Sequence, residues 1–293
     1  MALRGKAPTT TAKRLKAMFY GPAGVGKTTA AIQFPAVYVI DTERGAENDQ
    51  YVNLINASGG AYYPTSDFDD MIAEVTSLLS EKHKYRTLVI DPITVVYSDL
   101  LAKSAAYLKS ISKDKDATGE EFGRHYGIAD KKMKHLVNLL LRLDMNVIIT
   151  CHAKAVYDDK MKIIDQTFDG YKKLDYLFDL VFLIQKRGKD RVGIVRKTRL
   201  ESFVDGETFP FNYDEIANRY GREVLERDAV AEQLATPEQC AEIVRLIALL
   251  NTPVETTDKW LEKAQAETWA EMPSASIAKC IAHLKSQVEG AKQ

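Results

Sequence analysis

Nine consecutive residues carry the clearest chemistry in this chain: Gly21-Pro22-Ala23-Gly24-Val25-Gly26-Lys27-Thr28-Thr29. The first eight read G-x-x-x-x-G-K-T. Glycines at these places let successive backbone N–H groups turn toward a chain of phosphates. A helix starting there adds its own partial positive charge. Lys27 is placed to reach the β- and γ-phosphates of a nucleotide, and Thr28 to ligate Mg2+. The flanks agree with that chemistry. The apolar run from Leu15 to Tyr20, interrupted by Lys16, precedes the motif, and Thr29-Ala30-Ala31-Ile32 leads into a helix. Strand, loop, helix is the context such a loop needs.

Two acids extend the site. Thr87-Leu88-Val89-Ile90-Asp91 is an apolar strand ending in a carboxylate. Asp91 would hold Mg2+, directly or through water. Pro92 follows it, so a general base placed directly after the metal-supporting acid is disfavoured. Asp41-Thr42-Glu43-Arg44-Gly45 supplies another candidate at the end of a different strand. In an open α/β sheet, ligands bind beyond the C-terminal strand ends. Glu43 there could orient and deprotonate an attacking water.

These residues need a sheet to position them. Runs at 36–41, 87–91, 146–151, 180–184 and 192–195 are apolar throughout, as strands covered on both faces are. Between them, 69–81 and 120–144 have helical patterning. Alternating strands and helices predict a mostly parallel α/β sheet. Gln185 to Arg191, with Gly188, is a hairpin turn, so one sheet edge should be antiparallel. The pattern changes near 226. Thr236-Pro237 starts a helix, a second spans about 256–270 with Trp260 and Trp269, and a third about 274–289. The expected organisation is a basic N-terminal tail over 1–14, an α/β core over 15–225 and a small helical domain over 226–293.

Bulk properties narrow the classes. The chain has 293 residues and 45% hydrophobic content, enough for a sizeable core. Its net charge of −1 excludes a global electrostatic footprint for polyanions, so any such site is local. Cys151, Cys240 and Cys280 are far apart, without metal-type spacing, and fit a reducing compartment. No apolar run reaches membrane-span length, so no membrane partner is expected.

Taken together, the phosphate loop, Asp41-Thr42-Glu43, Asp91 and Thr150-Cys151-His152 resemble the RecA-like P-loop ATPase core. The resemblance implies ATP and Mg2+ as cofactors, Glu43 as catalytic base and His152 as sensor of the γ-phosphate. RecA itself has glutamine at the sensor position. It further implies that Lys197 and Arg199, in Arg196-Lys197-Thr198-Arg199, reach the nucleotide of a neighbouring subunit in a ring or filament. Two apart on a strand, both would point to one face. Their alternative is a solvated basic strand end.

More narrowly, residues 14–215 resemble the RecA-like single-strand annealing recombinases of bacteriophages and the phage nucleotide-binding proteins they shade into. Glu121-Phe122-Gly123-Arg124 and Leu143 through Lys154 also carry this likeness. It implies a phage protein in the host cytoplasm that acts on single-stranded DNA, with single-strand-binding protein as a further partner. DNA would meet loops after the third and fourth core strands. The second, Ala153 to about Tyr176, holds Lys154, Tyr157, Lys160, Lys162, Phe168, Tyr171, Lys172 and Lys173. Lysines interleaved with aromatics suit a single strand. Asp158, Asp159, Asp165 and Asp169 nearly cancel that charge, so a surface hairpin or mobile loop fits as well. The first candidate loop is Lys109 to Lys115, with a helix–helix connection as its alternative. A helicase or helicase-loading motor, and a nucleotide-gated binding module with little turnover, are the rival functions.

Overall fold

The computed structural model describes residues 13–45, 48–114 and 116–290. Residues 1–12, with Arg4 and Lys6 of the basic N-terminal stretch, lie outside the described residues. Arg14, expected at the end of that tail, is 4% exposed. Its guanidinium donates to the carbonyls of Val224, Arg227 and Asp228 and pairs with Asp144. A charge with that many partners is anchored rather than solvated.

The central sheet has nine strands among the described residues, in the order β3-β2-β4-β5-β1-β7-β8-β9, with β6 beside β5. They are β1 (Lys16–Gly21), β2 (Val37–Asp41), β3 (Ala61–Pro64), β4 (Thr87–Asp91), β5 (Asn146–Tyr157), β6 (Ile163–Asp169), β7 (Leu180–Arg187), β8 (Asp190–Thr198) and β9 (Thr208–Pro210). From β3 to β7 every neighbouring pair is parallel. The antiparallel edge is present: β7 and β8 pair through a turn at Gly188, φ +64°. The continuous apolar runs become the central strands because both their faces are covered. Met18, Ile40, Ile90 and Ile149 face one layer, built from α3 (Phe68–Ser80), α4 (Ile93–Ile111) and α5 (Arg124–Arg142). Ala17, Phe19, Val39, Val89 and Ile148 face the other, built from α1 (Lys27–Ile32), α2 (Asp49–Ala57), α7 (Tyr213–Tyr220) and α8 (Arg222–Glu226). This is an α/β fold with helices on both faces of a mostly parallel sheet.

Register decides which residues meet. Asp41 lies opposite Asp91, Ile90 opposite Ile149, and His152 opposite Gly21. The C-terminal ends of β2, β4 and β1 therefore line one edge of the sheet together with the middle of β5 at His152, beyond which β5 continues to Tyr157.

Three helices follow the core: α9 (Pro237–Leu250), α10 (Val254–Ala264) and α11 (Ser274–Gly290). They share a small apolar core of Ile243, Leu246, Met272, Ile277 and Leu284. A capping box between Thr236 and Gln239 starts α9, satisfying backbone donors on both sides of the cap. The second helix is shorter than its sequence pattern predicts. Gln265 turns left-handed (φ 55°) and ends it, and Trp269 lies in a separate 3-10 turn. The domain is held to the core by Arg142–Glu232 (2.8 Å) and His135–Glu271 (3.0 Å). Among the described residues no helix is long and apolar enough to cross a membrane.

Candidate functional site

The phosphate loop joins the end of β1 to α1. Val25 is buried and anchors it, while Pro22, Ala23 and Gly24 stand exposed at its rim. Gly24 and Gly26 have φ of 74° and 91°, a region L side chains rarely adopt. At Gly26 space is also lacking: a Cβ would come within 2.1 Å of Arg191 Nε. Lys27 Nζ donates to the carbonyls of Gly21 (2.9 Å) and Pro22 (3.0 Å). Burial lowers its pKa and the Asp91 carboxylate opposes that shift. To meet a phosphate, Lys27 exchanges these carbonyls for a charged acceptor, which makes the stronger hydrogen bond.

Thr28 and Asp91 meet directly. The Thr28 hydroxyl donates to Asp91 Oδ2 at 2.5 Å, and the Thr150 hydroxyl donates to Oδ1. Asp91 is 8% exposed. Desolvation raises its pKa against the two hydroxyl hydrogen bonds, and Asp41 on the neighbouring strand adds like charge. A hydroxyl and a carboxylate are hard oxygen donors and suit Mg2+. Among the described residues no group of three or more His, Cys, Asp or Glu could hold a metal alone. That donor set fits an ion that completes its shell with water and phosphate oxygens.

Glu43 and His152 also converge. Glu43 follows β2, and its N–H donates to Asp41 Oδ1 at 3.0 Å. His152 is on β5 beside Gly21, and its N–H donates to Thr94 Oγ1 at 3.0 Å. The side chains meet at 3.4 Å, Nε2 to Oε1, each close to half exposed. Both backbones are pinned and both side chains stay open to solvent, within reach of a group that diffuses to this edge.

Lys197 and Arg199 do not join this cluster. Thr198 pairs with Leu180, and Leu180 with Ala17, so they sit at the opposite edge of the sheet. Arg199 lies one residue beyond β8, yet both side chains turn to one segment. Lys197 Nζ donates to the carbonyls of Phe178 (2.7 Å) and Asp175. Arg199 donates to the Tyr176 carbonyl (2.5 Å) and pairs with Asp179 (3.3 Å).

The segment after His152 is a β-hairpin. β5 runs on to Tyr157 and β6 returns antiparallel. Asp158 Oδ1 accepts the N–H groups of Lys160 (2.9 Å) and Lys162 (2.8 Å), which shapes the tip. Tyr157, Lys160, Met161, Lys162, Ile163 and Ile164 are exposed there. Of the acids among these lysines, Asp165 pairs outside the set with Arg196, whereas Asp169 pairs with Lys154 itself. Tyr171 is a correction. It is 3% exposed and packs against Tyr97, so its ring cannot stack on a base. Phe168 packs edge-on against Tyr20. Lys172 and Lys173 are exposed, between the hairpin and the short helix α6 (Leu174–Leu177). In the other segment, Lys109 to Ile111 end α4 and Ser112 to Asp114 begin the connection to α5, while Lys115 lies outside the described residues.

Three residues escaped the sequence reading of roles. Thr150 was visible only as part of a strand end, yet it holds Asp91. Arg191 lay in an ordinary hairpin turn, but antiparallel pairing brings it to the phosphate loop, where Nε donates to the Val25 carbonyl (3.2 Å). A cavity of about 500 Å3 opens beside it, lined by Thr29, Gln33, Asp190, Arg191, Phe211 and Asn212. Phe122 is fully exposed at φ 56°, ahead of α5. The carboxylate of Glu121 holds that turn by accepting the N–H groups of Thr118 and Gly119.

A family model described as an AAA domain matches residues 13–207. Among solved structures, the crystal structure of the RadB recombinase is similar over 70% of this chain and 89% of that chain, at 18% identity and a TM-score of 0.43. No curated protein matches.

Proposed function

The chain belongs to the AAA-domain family, and from that premise we propose that it is a RecA-like ATPase acting on single-stranded DNA in phage recombination, by annealing or pairing strands. One observation carries the reading. Glu43 stands 3.4 Å from His152 on the same sheet edge as the phosphate loop and the Thr28–Asp91 pair. A base, a sensor, a metal site and a phosphate cradle thus share one edge, where the fold class binds its ligands.

In this mechanism the loop from Gly21 to Thr29 binds the phosphates through its backbone. The base and ribose lie in the cavity beside Arg191. Mg2+, held through Thr28 and Asp91, would neutralise charge on the phosphate oxygens. Lys27 leaves the loop carbonyls and takes a phosphate oxygen. Glu43 orients the attacking water and accepts its proton. His152, in contact with Glu43, ties the position of that base to the terminal phosphate.

Lys197 and Arg199 are too far along the sheet to serve the nucleotide of their own chain. Their role as fingers is therefore in trans, in a ring or filament, and requires them to release the 175–179 segment. The single strand lies along the β5–β6 hairpin, with Lys154, Lys160, Lys162, Lys172 and Lys173 toward phosphates and Tyr157 toward bases. Single-strand-binding protein is the expected accessory partner.

The test is ATP turnover with and without single-stranded DNA at two protein concentrations. Stimulation by DNA that rises faster than linearly with protein is expected. Turnover that is neither stimulated nor concentration-dependent would leave a nucleotide-gated binding module instead.

A further inference from the structure

The three C-terminal helices carry a groove that nucleotide chemistry does not use. It lies between α10 and α11 and encloses about 340 Å3. Trp260, Met272 and Cys280 form its apolar surface, and Lys263, Lys279 and His283 stand around them. The placement follows from helical spacing. Trp260 and Lys263 are one turn apart on α10, and Lys279 and His283 one turn apart on α11. Met272 is 1% exposed and makes the floor. Trp260 is half-buried, its ring edge-on to His283 at 6.2 Å.

Charge gives the groove its character. No acid lines it. Nearby, Arg245 and Lys285 share Glu242. Lys263 and Lys279 have no carboxylate partner among the described residues, and both are exposed. Unpaired ammonium groups flanking an apolar floor complement a ligand with carboxylates around a large apolar side chain. Residues 1–12, with Arg4 and Lys6 and no acid, and 291–293, Ala-Lys-Gln, are not such a ligand.

We propose that this groove docks an acidic peptide segment of a partner protein. One large apolar side chain of the peptide seats on Trp260 and Met272, and neighbouring carboxylates meet Lys263 and Lys279. The apolar anchor supplies most of the affinity in such an arrangement, and the rim charges supply rate and selectivity. The inference does not depend on ATP turnover or on DNA binding.

Fluorescence anisotropy on the full chain tests it. The probe is a fluorescein-labelled octapeptide of five aspartates, two leucines and a C-terminal phenylalanine. Saturable binding is expected, weakened at least about tenfold in Lys263→Glu/Lys279→Glu, because reversing both rim charges turns attraction into repulsion. Both positions are exposed, so the variant should melt at the wild-type temperature. Replacing the aspartates or the phenylalanine of the probe by serine should weaken binding comparably. The proposal is overturned by absence of binding, by equal affinity of the double variant, or by equal affinity of the serine-for-aspartate peptide. Displacement of the probe by a short oligothymidylate would also overturn it and assign the groove to nucleic acid.

Discussion

Lys16 and Lys27 flank the two ends of strand β1, and both are largely buried, at 6% and 9% exposure. Their situations differ in saturation. Lys16 Nζ donates to the carbonyls of Leu140 (2.8 Å), Leu143 (2.9 Å) and Met145 (2.9 Å). These include orphan carbonyls from the last turn of α5, and three bonds fill the donor capacity of an ammonium. Lys27 makes two bonds, both to the exposed-rimmed loop that it helps to form. One lysine is consumed by the fold, and the other can change partners. The whole sheet repeats this contrast. At the N-terminal edge Arg14, Asp144 and Arg227 satisfy one another. At the C-terminal edge Asp91 is buried against its preference, and Glu43 and His152 face solvent. Burial alone does not mark a functional charge; incomplete or exchangeable partnering does.

The sharpest way to break this contrast is at the loop. Lys27→Ala should lower ATP turnover by at least about 100-fold, the scale expected when one preorganised charge on a developing anion is removed. Its melting temperature should stay within a few degrees of wild type. Unchanged turnover would remove the catalytic reading of the whole edge. Glu43→Gln should reduce the rate by roughly 100- to 10,000-fold, the range for loss of a general base. Nucleotide affinity, measured by titration of a fluorescent ATP analogue, should persist in that variant, which separates chemistry from binding.

At the other end, Lys16→Met should destabilise the fold by about 2–4 kcal/mol, since several buried carbonyls lose their donor at once. Nucleotide affinity of the folded fraction should be unaffected. A reversed outcome, with stability kept and affinity lost, would make the two lysines equivalent. Lys16 also gives a pH signature. Burial pulls its ammonium down to about 7, whereas an unfolded lysine titrates near about 10.4. Between those values the unfolded chain holds more protons, so stability rises with pH across that window and is lost again as pH falls through about 7. Denaturant melts at pH 7 and pH 9.5 should show that rise, and Lys16→Met should reduce it.

The smallest effect is expected at Asp91. Burial raises the pKa of its carboxylate, so removing the charge in Asp91→Asn should leave stability equal or slightly higher in denaturant melts. The same change should remove the Mg2+ dependence of nucleotide binding. Lower stability in the variant would mean that the Thr28 and Thr150 hydroxyls more than repay the burial.

Local sequence determined a great deal here. The phosphate loop was legible because glycine, lysine and threonine at fixed spacing answer to backbone geometry, which is local. The central strands were legible because strands covered on both faces are apolar without alternation. The sequence also placed Asp91 and Glu43 at the ends of their strands, but it ended the next strand at His152, whereas β5 runs on to Tyr157 because β6 pairs with the extension. Tertiary structure decided which of these residues meet. Parallel register set His152 beside Gly21 and Asp91 beside Thr150, and no pattern within a single strand encodes its offset from a neighbour. The same cause brought Arg191 back to the loop from a turn that read as ordinary. It withdrew Tyr171 from any DNA surface, because an aromatic ring reads the same in sequence whether it faces solvent or Tyr97. It also separated Lys197 and Arg199 from the site of their own chain. Residue types fix what chemistry is available, and long-range pairing fixes which groups are left without a settled partner to perform it.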